Sequence, residues 1–112
     1  MHDSFGEDNF EILAECEEGY IGICRHCQEF NYSFKNILLT FQEQEMDNFF
    51  EWMIGCRQNG ACEMVLPHGR GYVLSSPIHN LFIVYNDEEF DAIEKLYSEV
   101  RLMREAKKIL NS

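Results

Sequence analysis

Cys24-Arg25-His26-Cys27 is the stretch of this sequence whose residue types and spacing carry chemistry. Two thiols separated by two residues can converge on one metal ion, with zinc–sulfur bonds of ~2.3 Å. They can also cycle between dithiol and disulfide. The flanking residues weigh one use against the other. In a thioredoxin-like pair the first cysteine opens a helix, whose positive end makes a thiolate available near neutral pH. Here Phe30, Tyr32 and Phe34 alternate after the motif, which is the period of a strand. The pair therefore sits at a corner between two strands, resembling a zinc knuckle. Cys24 and Cys27 are either structural thiols without chemistry or the candidate metal ligands with zinc as the candidate cofactor, and thiol redox chemistry at the same pair is the alternative.

A tetrahedral zinc site needs two more ligands, and the sequence has no second C-x-x-C. Cys16 falls at the far end of the hairpin that leads into Cys24, roughly 13 Å away at ~3.3 Å per residue. Cys56 and Cys62 read as small core hydrophobes. His26 points away if its flanking sulfurs converge, His68 belongs to the separate turn Pro67-His68-Gly69-Arg70-Gly71, and His79 precedes a strand. Two C-x-x-C corners, one from each subunit of a homodimer, would supply four sulfurs to one ion.

Other catalytic signatures are missing. No G-x-S-x-G elbow occurs, and Gly69-Arg70-Gly71 is followed by neither a Lys-Ser/Thr pair nor a helix start, so it reads as a turn. Glu43-Gln44-Glu45 and Asp87-Glu88-Glu89 fall in the first turns of predicted helices, where negative charge stabilises the helix end. No residue is assigned a catalytic role. Trp52 lies off the apolar stripe of its helix, where it covers a sheet edge or anchors a partner.

The elements that must position the cysteines follow from periodicity. Residues 10–16 alternate as a half-buried strand with Phe10, Ile12, Ala14 and Cys16 on one face, and Glu17-Glu18-Gly19 turns the chain into a strand over 20–24. Asn36–Asp47 aligns with Asn80–Asp91 at an offset of 44 residues, apolar on apolar and acid on acid. Each copy reads as a strand, a polar break and an amphipathic helix. Met46, Phe49, Phe50 and Met53 form one helical stripe, stopped by Gly55 and the polar residues after it. Asn86 caps the second helix with Glu89 at the reciprocal position, and Phe90, Ile93, Leu96, Tyr97, Val100 and Met103 form its buried face. Carried upstream, the offset makes each unit strand-strand-strand-helix. The expected fold is α+β, an antiparallel sheet of six or seven strands with two helices on one face, in a single domain over residues 10–112 after a frayed start over 1–9.

Composition sets the setting. With 112 residues, 46% of them hydrophobic, the chain can bury a core of its own without metal or disulfide. Its net charge of −11 repels a phosphate backbone, which makes nucleic acid a poor partner. No apolar run reaches the ~18 residues of a membrane span, and the first residues do not read as a signal peptide. Five cysteines, an odd number, suit reduced thiols and a cytoplasmic location. The charge is uneven: residues 1–94 carry −14 and residues 95–112 carry +3. A basic helix end of this kind complements its own dipole, or docks on an acidic partner such as the body of a second copy.

Gly22-Ile23-Cys24-Arg25-His26-Cys27, followed by Phe34-Lys35-Asn36-Ile37-Leu38-Leu39-Thr40-Phe41 and a Glu-rich helix start, resembles a family of small, uncharacterised bacterial proteins of the Bacteroidetes type over residues 10–105. The resemblance implies a bacterial cytoplasmic setting and brings no catalytic residues with it. The residues themselves point to a non-enzymatic interaction or regulatory module that self-associates or binds a protein partner, with zinc at Cys24 and Cys27. A thiol redox enzyme or sensor is the alternative, and a small-ligand pocket between sheet and helices is a third class.

Overall fold

The computed structural model describes residues 9–76 and 78–111, so the frayed start expected over residues 1–9 lies, except for Asn9, outside the described residues. Seven strands and two helices follow in the order β1 (Phe10–Glu15), β2 (Gly19–Cys24), β3 (Phe30–Phe34), β4 (Ile37–Phe41), α1 (Glu43–Gln58), β5 (Glu63–Leu66), β6 (Gly69–Ser75), β7 (Phe82–Tyr85) and α2 (Asp87–Asn111). Every strand pairing is antiparallel. The fold is α+β, but the strands form two sheets, β1-β2-β3-β4 and β5-β6-β7, rather than one of six or seven. Each sheet ends in a strand that passes through one residue, Gln42 or Asn86, directly into a helix, so β4 has no following strand to pair with. The sheets meet through side chains instead: the Tyr32 and Tyr85 hydroxyls are 2.9 Å apart, and the Phe34 and Tyr85 rings pack edge to face at 5.8 Å.

The strand–cap–helix segments do coincide at the 44-residue offset. The Glu45 carboxylate accepts the Gln42 N–H at 2.8 Å, and Glu89 and Asn86 form a reciprocal box at 2.9 and 2.8 Å. Upstream the equivalence ends, because β3 shifted by the offset would occupy 74–78 whereas β6 runs Gly69–Ser75. A three-strand repeat is therefore not supported. The tight Pro67-His68 turn of β5–β6 replaces the longer corner between β2 and β3.

One core joins both sheets to both helices. Ile21, Phe30, Tyr32, Phe34 and Phe41 from the first sheet and Leu74, Ile83 and Tyr85 from the second enclose Met46, Phe50 and Met53 of α1 and Phe90, Ile93, Leu96, Tyr97 and Val100 of α2. The helical stripes are those the periodicity predicts, except that Met103 is exposed, because the covered face of α2 continues through Arg104 and Lys107 rather than through Met103. Helix α1 continues through Gly55 to Gln58, because an interior glycine costs only about 1 kcal/mol, and ends where Gly60 adopts φ +75°. In β1 a bulge between Ile12 and Ala14 breaks the alternation. Leu13 and Ala14 are buried, while Ile12 is exposed and the Phe10 ring lies over Gly22 on the outer face.

Ion pairs clamp the helices. Arg104 bridges Asp47 at 2.7 Å and Glu43 at 2.9 Å, and the Tyr97 hydroxyl donates to Asp47 at 2.7 Å. Burial raises the Asp47 carboxyl, but the Arg104 and Tyr97 hydrogen bonds outweigh it and hold that group below the usual range. Arg57 lies over the Tyr72 and Phe90 rings, 5.1 and 4.8 Å from their centroids, and pairs with Asp91 at 2.8 Å and with Glu94. Both arginines hold elements together.

Candidate functional site

The C-x-x-C stands where the alternation places it, at the corner between β2 and β3. The corner is closed by backbone bonds: Cys24 N–H donates to the Glu29 carbonyl at 2.8 Å and Gln28 N–H to the Cys24 carbonyl at 2.7 Å. Gln28 takes up the reversal at φ +62°, and its side-chain amide donates to the Arg25 carbonyl at 2.8 Å. Arg25 N–H donates to the Asn9 carbonyl at 2.6 Å, tying the corner to the start of β1. Cys24, the last residue of β2, is fully buried, while Cys27 within the turn is exposed.

This geometry brings the two thiols together. Each of the two thiols feels the other, and the Glu29 backbone acts on the Cys27 sulfur. The Cys24 contact pushes the Cys27 thiol up from its ordinary pKa, with desolvation adding to it and the Glu29 backbone opposing it. A thiol so placed is protonated at neutral pH and a weak nucleophile. A metal that displaced both protons would instead convert the sulfur–sulfur contact into two bonds to one ion.

The other candidate ligands do not gather there. Cys16 is in the β1–β2 turn, at the opposite end of β2. Cys56 is half-buried on α1 and Cys62 is buried between α1 and β5. His68 turns β5 into β6 in the other sheet, and His79 lies between β6 and β7. Among the described residues, no group of three or more His, Cys, Asp or Glu side chains could hold a metal ion. Cys24 and Cys27 amount to half a tetrahedral zinc site. Asn31, which pairs with Gly22 on the sheet face that Cys24 shares, is fully buried with neither amide atom hydrogen bonded. An orphan amide of this kind costs on the order of 1–3 kcal/mol.

A second feature was not singled out from the sequence. In the three-stranded sheet Tyr72, Leu74, Ile83 and Tyr85 face the core, so Met64, Val73, Phe82 and Val84 face outward around Gly71. Phe82 is 57% exposed, Met64 50% and Val84 49%. The signal was Phe82-Ile83-Val84-Tyr85, an unbroken apolar run. Such a run reads as a strand covered on both faces, and here one face has no cover from the described residues.

A profile of DUF6686, described as a family of unknown function, matches residues 7–112, which includes the corner, both sheets and both helices. The chain belongs to DUF6686. No curated protein and no solved structure matches it. The DUF6686 match agrees with the resemblance to an uncharacterised family. Within this DUF6686 chain, no described helix is long and apolar enough to cross a membrane.

Proposed function

We propose that this protein is a self-associating interaction module whose working surface is the three-stranded sheet. The observation that carries the reading is the exposure of apolar side chains across this sheet, Met64 and Val65 on the edge strand and Phe82 and Val84 on β7, in a chain with net charge −11. Apolar side chains that adjoin on a face mark contact sites, whereas single exposed ones do not. Sedimentation velocity of the full chain tests it. The wild type is expected to associate with rising concentration in the micromolar range, and Met64→Asp to weaken that association by roughly tenfold or more. A wild type that stays monomeric through that range removes the reading.

A second reading is favoured by the Cys24–Cys27 contact: the corner binds zinc, and further ligands come from outside the described set. Zinc holds thiolates about 2.3 Å away and needs them deprotonated, so binding would release protons from both cysteines. The expected result is a thiolate-to-metal absorption band on titrating the reduced protein with Co²⁺, reversed by Zn²⁺ and lost in Cys27→Ser. A protein that takes up neither ion, and whose two cysteines instead interconvert reversibly with a disulfide, would move the reading to thiol redox chemistry.

A further inference from the structure

We propose that the edge of β5 that no described strand pairs with pairs antiparallel with the same edge of a second copy, about a two-fold axis at Met64, joining two three-stranded sheets into one of six. The proposal rests on the three-stranded sheet being the working surface, and it names both the partner and the register.

β5 is an edge of its sheet. Among the described strands it is the one with no buried residue. Val65 is 76% exposed, on the opposite sheet face from Met64. A strand exposed on both faces, and paired by described strands along only one edge, offers main-chain donors and acceptors to another strand. The other edge strand of this sheet, β7, is anchored to the four-stranded sheet through Tyr85.

Symmetry and charge define the place and the register in which a second copy fits. A body at −11 repels itself, so self-contact belongs where acids are few. β5 carries one acid, Glu63, and Arg70 neutralises it at 3.1 Å. A two-fold axis perpendicular to the sheet sets residues of the same face opposite one another. Centred on Met64, it pairs Met64 with its equivalent and Glu63 with Val65 of the second copy. Centred on Val65, it sets Glu63 against Pro67, which has no N–H to donate. The Met64 register keeps the acids apart and leaves the ladder intact.

Sedimentation of the full chain distinguishes the outcomes, with circular dichroism confirming that each variant is folded. Val65→Glu would set two like-charged pairs across the axis and is expected to weaken dimerisation roughly tenfold. Val65→Lys sets Lys opposite Glu63 of the second copy and is expected to leave dimerisation unchanged or tighter. Phe82→Asp, two strands from the axis, and Leu110→Glu, on the last turn of α2, are expected to leave it unchanged. The edge pairing is overturned if Val65→Lys weakens association as much as Val65→Glu, or if Leu110→Glu does. Association lost in Phe82→Asp but indifferent to Val65 means face-to-face stacking, which removes the edge pairing and spares the reading of the sheet. A monomeric wild type removes both.

Discussion

Phe50→Ala is expected to lose about 3–5 kcal/mol of folding stability, read as a lower midpoint of urea unfolding with little change in slope. Phe50 is fully buried on α1. Its ring stacks on Tyr97 of α2 at 4.8 Å, meets Tyr32 of β3 edge to face at 5.0 Å, and touches Phe49 at 5.3 Å. Truncation removes the transfer free energy of the ring and opens a cavity between one sheet and two helices. Collapse cannot fill it, because Tyr32 is tethered to Tyr85 and Tyr97 to Asp47 by their hydroxyls. Domains of this size hold about 5–15 kcal/mol, so one side chain controls a large share of the total. Trp52→Ala, two residues along the same helix, removes a larger ring that is 44% exposed, and its loss should be well below that of Phe50→Ala. Equal losses at the two positions would mean that the core does not converge on Phe50.

The elements were legible because their periods are strong. The stripe Met46, Phe50, Met53 and the face Phe90, Ile93, Leu96, Tyr97, Val100 could be read from spacing, and Asn86 with Glu89 from their reciprocal positions. The number of sheets could not. Alternation states which residues share a face, but not which strand lies beside which, and β4 and β7 have the same pattern whether they pair or end separate sheets. The bulge in β1 was hidden for a related reason. Ile12-Leu13-Ala14 is apolar throughout, so inserting one residue into the ladder leaves the composition of both faces acceptable. For the candidate site, the corner position of Cys24 and Cys27 was legible from the strand pattern that follows it. Their mutual contact and the action of the Glu29 backbone on the Cys27 sulfur depend on the turn conformation, which the residue types leave open.

Gly19→Ala is expected to cost about 3 kcal/mol or more, by the same unfolding measurement, because the clash it creates is with backbone. A Cβ at Gly19 would lie 2.0 Å from the Ser33 carbonyl oxygen and 2.8 Å from the Phe34 Cα. Those atoms belong to β3, which is paired on its other side with β4, so the strand cannot withdraw without breaking a second ladder. Gly19 also accepts the Cys16 N–H at 2.8 Å in the β1–β2 turn, so displacing it disturbs the entry to β2 and, through β2, the corner that carries Cys24. Gly55→Ala provides the opposite sign. A Cβ there meets nothing within 4 Å, and alanine in a helix interior is favoured by about 1 kcal/mol over glycine. If Gly19→Ala unfolded at the wild-type midpoint, β2 and β3 could not lie as close as the pairing of Gly19 with Phe34 requires.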